Sequence, residues 1–543
     1  MRIIIAGAGI GGLTTALSLH AAGITDVVVD EAVPELKPLG VGINLLPHAV
    51  RELTELGLAD RIAAIAVPVT ELLYANGLGQ VISREPRGTA AGYRWPQYAV
   101  HRGLLQMLLL EAVRERLGPG AVRCASPVTS LDHDADLLVG ADGIRSSIRA
   151  ALHPGEGPPL WNGLTLWRGT TRAAPFLTGR SMVMSGDGTR KFVAYPISAP
   201  DADGRVLLNW IAEQPTEGAE ATGDWNRAAD PAEVAARFAD WDLGWLDAPG
   251  LIAAAKDVYE YPMVDRDPLP RWTRGRVTLL GDAAHPMYPV GSNGASQAII
   301  DARVLAHALA TGGGPQAYEE ERREATAAIV HANRGLGPET VLALAGERAP
   351  HGFDDIERVI PRAEREEISL RYKRLAGFDP AALSERPSWT VRPAPALERL
   401  ATFRVTLDPV LALGRTPWGE RKVIGITGGS FDGPRLTGTV LPGGADWQVV
   451  HDDGAASIDT RYTLRTEDGA LIYLQTRGHR HGPEEVMERL ARGEDVDPGD
   501  YYFRLVLTFE TAHPGYAWLG RTVAVATGRR EASAVVYDAY TLS

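Results

Sequence analysis

The segment Gly7-Ala8-Gly9-Ile10-Gly11-Gly12 follows the apolar run Ile3-Ile4-Ile5 and opens residues 13–22, which have the composition of a helix. A glycine-rich turn between a buried strand and a helix is typical of dinucleotide-binding folds. Gly7 permits the tight turn, Gly9 lets the backbone approach a diphosphate, and Gly12 lets strand and helix pack closely. The free N–H groups of the helix start attract the anion. The sequence therefore predicts a Rossmann-like fold whose glycines, Gly11 included, contact a dinucleotide.

An acidic pair follows the next apolar strand. Val27-Val28-Val29 runs into Asp30-Glu31, where a carboxylate can accept hydrogen bonds from the ribose hydroxyls of an adenosine. Glu31 lies at the expected interval of about 20 residues beyond the glycines and is the predicted ribose ligand. Asp30 is the alternative if the strand twists differently.

Two later strands also end in an aspartate beside glycine, in Val139-Gly140-Ala141-Asp142-Gly143 and in Gly281-Asp282-Ala283-Ala284-His285. A carboxylate can there reach sugar or ribityl hydroxyls without steric obstruction, and Asp282 is predicted to hold a ribityl chain. His285 is expected to orient backbone rather than to act as a base. In Pro289-Val290-Gly291-Ser292-Asn293-Gly294, backbone N–H groups at a helix start can face the N1 and C2 carbonyl edge of an isoalloxazine. The order of these segments predicts FAD.

Length and composition limit the remaining possibilities. A chain of 543 residues is too long for one core, so two or three domains are expected. The formal net charge of −13 disfavours nucleic acid and anionic membranes as partners. Cys124 is the single cysteine, which excludes an internal disulfide and a cysteine zinc site and fits a reducing cytoplasm. The uncharged residues 3–19 are interrupted by the turn glycines, no other segment looks membrane-spanning, and no metal cluster is apparent.

The pattern of strands and helices changes along the chain. Alternating signals predict an α/β FAD-dependent part over 1–375, with FAD-binding segments at about 1–160 and 270–375 and an inserted β-sheet substrate domain at about 160–270. Residues 376–396 are proline-rich and are predicted to be a linker. Short alternating runs over 397–543, with one helix near 483–491, predict an all-β, barrel-like domain.

Residues 1–375 resemble the group A flavoprotein monooxygenases. Within that group they are most similar to the phenazine-carboxylate monooxygenases of the pyocyanin route, through four segments: Pro38-Leu39-Gly40-Val41-Gly42-Ile43-Asn44, Leu166-Trp167-Arg168-Gly169, Val193-Ala194-Tyr195-Pro196-Ile197 and Tyr261-Pro262-Met263-Val264-Asp265-Arg266-Asp267-Pro268-Leu269-Pro270. The resemblance implies that NADH or NADPH reduces FAD and that a flavin C4a-hydroperoxide hydroxylates an aromatic small molecule, with O2 as co-substrate, in specialised metabolism.

The resemblance also implies roles for single residues. Arg102 would contact FAD, although an exposed arginine at a helix start is the alternative, and Pro289 would lie near the C4a edge. Tyr195 and Tyr288 are the other candidate catalytic positions, and ordinary core aromatics are the alternative for both. The candidate substrate contacts are Trp167, as part of an aromatic wall or simply of the core, and Arg168, paired with a substrate carboxylate or satisfied inside the sheet.

One departure and two other functions stay open. Between Arg123 and Asp136 the family normally has a β-meander, whereas only about a dozen residues are present, so the crossover is shortened or a stretch is absent from the numbering. The packing around Asp142 is correspondingly uncertain. A flavin reductase or dehydrogenase without oxygen transfer is the first alternative function, and a flavin-retaining binding protein is the second.

The C-terminal residues resemble a small bacterial family of uncharacterised barrel domains. Its marks include Gly428-Gly429-Ser430-Phe431-Asp432-Gly433-Pro434 and Pro442-Gly443-Gly444-Ala445-Asp446-Trp447. Family membership implies a fold and not a reaction. The fusion suggests a barrel that binds or processes the same compound as the flavin domain. Five residues are candidates for lining the barrel mouth, with salt-bridged structure as the alternative: Asp446, Trp447, Arg461, Arg477 and Glu510.

Overall fold

The computed structural model describes residues 1–216, 227–385, 388–389 and 396–542. It divides into two compact units, Met1–Arg392 and Pro393–Ser543. The first part of the predicted linker 376–396 belongs to the first unit, because Pro380–Glu385 is a helix and Phe378 is buried. Residues 386–387 and 390–395 of that linker lie outside the described residues.

The first unit is built on a five-stranded parallel sheet. Its strand order is Val277–Leu279, Leu137–Gly140, Ile3–Ala6, Val27–Asp30 and Val122–Arg123. The strands are continuous apolar runs because both faces of a parallel sheet are covered. Their side chains share one buried core with helices Ile10–Ala21, Arg102–Leu117 and Gly294–Ala310. The predicted Rossmann-like fold is confirmed.

The other helices of this unit surround its sheets. They are Pro47–Glu55, Ala59–Ala63, Ser147–Leu152, Pro231–Ala236, Ala248–Ala253, Gly314–Arg334, Thr340–Arg348, Ile356–Val359, Arg362–Leu375 and Pro380–Glu385. Single 3-10 turns at Gly281–Ala283 and Val290–Ser292 precede the helix Gly294–Ala310.

A mixed eight-stranded sheet forms the second layer of the unit. Its order is Arg227–Ala229, Val258–Asp265, Leu160–Ala173, Val206–Pro215, Lys191–Pro196, Ser181–Gly186, Glu71–Ala75 and Val81–Pro86. The last two strands come from outside the predicted insertion 160–270. They join it because the fully buried Glu71–Ala75 pairs in parallel with Ser181–Gly186. A three-stranded sheet combines Gly42–Leu45, Gln97–His101 and Ala66–Val69.

The segment between the strands Val122–Arg123 and Leu137–Gly140 is short. Residues 124–136, all of them described, contain no helix or strand. Ala125 N donates to Val33 O and Ser126 N donates to Glu31 O, both at 2.8 Å, so the connection is tied to the end of the second strand.

The second unit is an antiparallel barrel. The strand Leu397–Leu407 closes it by pairing with both Gly419–Asp432 and Ala534–Leu542. The remaining strands are Leu411–Thr416, Gly438–Val440, Ala445–Val450, Ala456–Thr466, Leu471–His481, Tyr502–Glu510 and Ala524–Arg530. Buried and exposed residues alternate along Tyr502–Glu510, as expected when one face lines a closed interior. The helix is Glu484–Ala491.

Candidate active site

The glycine turn has the geometry of a diphosphate cradle. Gly7 has a φ of +106°, and a Cβ there would lie 2.6 Å from Ala141 O. A Cβ on Gly12 would lie 2.0 Å from Gly7 O, so only glycine permits this approach of helix to strand. A Cβ on Gly9 would meet nothing within 4 Å, because it faces an open cleft. A Cβ on Gly11 would lie 3.0 Å from Leu280 Cδ2, so close packing also favours glycine here, a constraint that the sequence did not reveal.

The two candidate ribose ligands have different surroundings. Glu31 lines the cleft, and its carboxylate accepts hydrogen bonds from Ala8 N at 2.8 Å and Val33 N at 3.0 Å. Asp30 is buried, and both of its oxygens accept from the Arg123 guanidinium at 2.7 Å. The geometry therefore favours Glu31 as the residue that is available to a nucleotide.

The cleft beside the turn has a volume of about 1100 Å³ and is also lined by Arg102 and Asp142. Asp142 Oδ2 accepts from Ser147 N at 2.8 Å, whereas Oδ1 is buried and has no hydrogen-bond partner among the described residues. A buried acceptor without a donor is costly unless a ligand supplies one. The open space at Gly9 and this free acceptor fit the diphosphate and hydroxyl groups of FAD.

A second cavity of about 880 Å³ lies between the loop after Gly281–Ala283 and the eight-stranded sheet. Asp282 lines it, together with Pro289, Ser292, Asn293 and Gly294. The Asp282 carboxylate is accessible within the cavity but is surrounded by protein. Burial raises the pKa of Asp282, and the neighbouring His285 and Arg102 act in the opposite direction. A hydroxyl donor such as a ribityl chain would satisfy this carboxylate.

The loop Val290–Ser292 has an unusual backbone. Gly291 and Ser292 have φ values of +66° and +58°, and such a conformation in a non-glycine residue often marks a functional loop. Asn293 Nδ2 donates to Tyr372 Oη at 2.9 Å, so only the backbone of Asn293 can face a flavin. Tyr372 Oη in turn donates to Asn333 Oδ1 at 2.7 Å. Sequence reasoning missed Tyr372, which is a lone aromatic in a strongly charged helix and carries no signal.

The sheet side of the cavity contains Tyr195 and Arg168. Tyr195 Oη donates to Gly42 O at 3.0 Å, and burial raises its pKa to about 12. Arg168 Nη2 donates to the same carbonyl oxygen at 3.1 Å, but Arg168 Nε is buried without a hydrogen-bond partner. Burial lowers the pKa of Arg168. Within the described residues, no carboxylate forms an ion pair with this arginine.

Tyr288 also lines the cavity, where it packs with Leu166, Met263 and Val290. Trp167, by contrast, lies on the opposite face of the sheet from Arg168, because neighbouring residues of a strand point to opposite sides. Its ring is buried in the core behind the sheet, and Nε1 donates to Glu260 at 3.0 Å. The structure therefore corrects the prediction that Trp167 contacts substrate.

His285 is buried and contacts Asp301, so its ring is engaged by protein rather than directed into the cavity. Its Nε2 lies 2.5 Å from Asp301 Oδ2, and Asp301 Oδ1 accepts from Arg322 Nε at 2.7 Å. Although Asp301 is buried, His285 and Arg322 hold its pKa below the usual range. Gly281 N also donates to Asp301, so this buried cluster fixes the turn that carries Asp282.

A buried charge cluster at the cavity wall was not predicted. Lys191 Nζ lies 2.8 Å from Glu213 Oε1 and also contacts the Glu339 carboxylate. Burial raises the pKa of Glu213, while the two carboxylates raise the pKa of Lys191. The three residues come from distant segments, which is why no local motif indicates them.

In the described ranges, no group of three or more His, Cys, Asp or Glu residues could hold a metal ion. None of the helices in the described part of the chain is long and apolar enough to cross a membrane.

Comparisons with known proteins agree with this geometry. Residues 256–333 match the family "FAD binding domain", and residues 395–542 match "Protein of unknown function (DUF3237)". The chain is 49% identical over 361 residues to phenazine 1,6-dicarboxylic acid hydroxylase of Lysobacter antibioticus, covering 61% of this chain and 89% of that protein. The crystal structure of Klebsiella pneumoniae HpxO with FAD and uric acid superimposes with a TM-score of 0.54 at 25% identity, covering 70% of this chain and 96% of that one.

The C-terminal part has its own relatives. A UPF0311 protein of Rhodopseudomonas palustris is 38% identical over 148 residues, covering 27% of this chain and 97% of that protein. The chain is thus a flavoprotein joined to a small barrel. It belongs to the family of FAD-dependent aromatic hydroxylases, and its C-terminal part belongs to the DUF3237 family. FAD is its cofactor, with NAD(P)H as co-substrate.

Proposed function

We propose that the substrate is a planar aromatic carboxylate of the phenazine-carboxylate type, whose carboxylate pairs with Arg168 in the cavity beside the flavin loop. The observation that carries this proposal is a half-buried arginine at the cavity wall whose Nε is buried without a hydrogen-bond partner, and which forms no ion pair among the described residues. An uncompensated buried cation is costly, and a substrate anion would remove that cost. The relative named for phenazine 1,6-dicarboxylic acid supports a substrate of this class.

Different cavity residues would bind the cofactor, position the backbone and exclude water. FAD, once bound and reduced by NAD(P)H, supplies the activated oxygen that is transferred to the ring. Asp282 would hold the ribityl hydroxyls, and the backbone of Gly291 to Gly294 would hold the pyrimidine edge. Tyr195, which keeps its proton at neutral pH, would fix the Gly42 carbonyl beside the ring. Met182, Met184, Val193 and Ile211 line the same cavity and would exclude water from the reacting atoms.

Pro289 and Tyr288 would form the part of the wall closest to the reacting carbon. Both line the cavity beside Ser292. Pro289 has no titratable group, and a tyrosine hydroxyl keeps its proton at neutral pH. Burial raises the pKa of Tyr288, which keeps its hydroxyl protonated. We assign them a positioning role, in which they hold the ring against the flavin. The role in specialised metabolism stays a prediction.

Replacing Arg168 tests the proposal. Arg168→Met should raise KM for an aromatic carboxylate by about tenfold to a hundredfold, the cost of losing a hydrogen-bonded charge pair. KM for the matching neutral carboxamide should change little. Arg172→Met is the control, because Arg172 lies four residues along the same strand, is exposed and pairs with Asp201. Equal effects of Arg168→Met on acid and amide, at unchanged FAD content, would refute the proposal.

A further inference from the structure

The barrel contains a cavity that, counted with its opening to solvent, occupies about 480 Å³, and no assigned function explains it. It adjoins a wider cleft of about 1290 Å³ beside the helix Glu484–Ala491. Gln448, Arg480 and Arg530 line both spaces and therefore stand where the cavity meets the cleft. The barrel interior thus has an accessible, polar entrance.

Most of the cavity wall beyond that entrance is apolar. Its aliphatic and aromatic side chains are Val405, Leu407, Ile424, Ile458, Phe503, Leu505 and Val535. The hydroxyl groups of Tyr462 and Tyr537 hydrogen-bond to each other, so these two polar groups are already satisfied. A ring or short hydrocarbon of matching size would fit such a wall by burying apolar surface.

The two entrance arginines lack protein counter-ions. In the described part of the barrel, neither Arg480 nor Arg530 forms an ion pair, and Arg480 Nε is buried without a hydrogen-bond partner. Arg530 Nη1 donates only a long bond, 3.3 Å, to Ala534 O. Burial and their mutual repulsion lower the pKa of Arg480, with Asp446 acting in the opposite direction. The site therefore brings two positive charges to the rim of an apolar space.

Asp446 is the one acidic residue that lines the inner cavity within the described chain. It accepts a hydrogen bond from Asp459 N at 3.3 Å, and burial raises its pKa. Four further carboxylates, Asp452, Asp453, Glu484 and Glu488, line the outer cleft, but none of them forms an ion pair with Arg480 or Arg530. Barrel arginines such as Arg465 and Arg504 also lack an ion pair among the described residues, but they are exposed to water, whereas Arg480 Nε is buried.

We propose that the barrel binds an apolar carboxylate, with its hydrocarbon or aromatic body inside the cavity and its carboxylate between Arg480 and Arg530. Of the five residues predicted to line the barrel mouth, only Asp446 faces the cavity. Trp447 and Glu510 are exposed, and Arg461 and Arg477 lie near Asp459 on the outer face. A fixed pair of guanidinium groups suits a carboxylate, because each can donate two hydrogen bonds to it.

The test is calorimetric titration of the FAD-loaded full chain with 1-naphthoate and with the neutral 1-naphthamide. Titrations in wild type and in an Arg168→Met background separate binding to the barrel from binding beside the flavin. Arg480→Met and Arg530→Met should each weaken 1-naphthoate binding to the barrel by about tenfold or more. They should leave NAD(P)H oxidation by the flavin domain unchanged, and Arg461→Met should leave barrel binding unchanged.

A further variant is expected to raise the affinity for 1-naphthoate rather than lower it. It tests the proposal even if the arginine variants fold poorly. Asp446→Asn removes the negative charge beside the two arginines while keeping the side-chain shape, so it should tighten 1-naphthoate binding severalfold. Unchanged affinity in Asp446→Asn and in both arginine variants would overturn the proposal. Because the Arg168→Met background is tested separately, failure of the proposed hydroxylase substrate would not mimic this result.

Discussion

Glu31 and Asp30 are neighbours at the end of one strand, yet the fold uses them differently. Asp30 is occupied by Arg123, while Glu31 lines the nucleotide cleft and accepts bonds from the glycine turn. Glu31→Ala should therefore weaken FAD binding by about 1.5–3 kcal/mol, the range for hydrogen bonds to a charged group, which is roughly tenfold to a hundredfold. Fluorescence titration of the apoprotein with FAD measures this.

Glu35→Ala is the matched control for that experiment. Glu35 lines the same cleft, but it is exposed and its partner is Lys37 at 3.1 Å. FAD affinity should stay within about a factor of two of wild type, because exposed ion pairs contribute little. If Glu31→Ala binds FAD as tightly as Glu35→Ala does, Glu31 has no place in the site.

For Trp167 and Arg168, the sequence alone does not determine which side chain faces the cavity. Strand periodicity already requires these neighbours to face opposite sides of a sheet. It does not say which side faces the flavin, and both residue types occur in substrate pockets. Only the pairing of Leu160–Ala173 with its two neighbours, which fixes the sheet against the flavin loop, assigns Arg168 to the cavity.

Gly9 and Gly12 have different structural roles in the glycine turn, so replacing each with alanine should have a different effect. Gly12→Ala would place a methyl group 2.0 Å from Gly7 O, so the helix must shift and both folding stability and FAD binding should fall. Gly9→Ala meets no protein atom, and Gly9 has an ordinary φ of −73°. The free energy of unfolding of Gly9→Ala should therefore lie within about 0.5 kcal/mol of the wild-type value, but the variant should bind FAD more weakly.

Urea unfolding of the apoproteins, combined with FAD titration, separates the two glycine effects. A Gly9→Ala protein that binds FAD normally would show that the diphosphate does not approach this backbone. Loss of stability equal to that of Gly12→Ala would instead show that Gly9 is a packing residue.

The charge cluster at the cavity wall predicts a pH-dependent stability. Lys191→Met would leave Glu213 and Glu339 buried without their cation, at a cost of about 3–5 kcal/mol near neutral pH. The pKa of Glu213 is raised by burial above its ordinary 4.5. Protonated Glu213 therefore contributes stability that is fully present below pH 4.5, the ordinary pKa of a glutamate. That contribution is lost as the pH rises through the raised pKa of Glu213 in the folded protein.

The stability difference between wild type and Lys191→Met should therefore shrink as the pH falls toward 4.5. Urea unfolding at several pH values measures it. Arg190→Met, which removes the exposed pair with Asp240, is the control and should show little pH dependence. A constant difference between wild type and Lys191→Met across that range would mean that the glutamates do not gain protons when Lys191 is lost.

The sequence predicted the helices and strands that a local sequence pattern determines. The strand, turn and helix around Gly7, and the strands that precede Asp142 and Asp282, all follow from short apolar runs next to glycine. The pairing of Glu71–Ala75 with Ser181–Gly186 and the support of the flavin loop by Tyr372 could not be predicted. Both depend on contacts between residues that are far apart in the chain, and nothing local specifies them.

For the whole molecule, each unit has its own buried core. The barrel was predictable because closed antiparallel sheets have regular alternation and frequent turns. Its pair of entrance arginines was not, since Arg480 and Arg530 come from strands well separated in sequence. We therefore propose one carboxylate-binding site in each of the two units.

The flavin domain belongs to an aromatic hydroxylase family, and we propose that its substrate is an aromatic carboxylate. The most direct measurement is NADH and NADPH oxidation by the purified protein in air, with phenazine carboxylates and salicylates, while the hydroxylated product and hydrogen peroxide are both quantified. We expect a phenazine carboxylate to stimulate NAD(P)H oxidation, with hydroxylated product formed in near-equal amount. Oxidation that no aromatic acid stimulates, and that yields only peroxide, would contradict it.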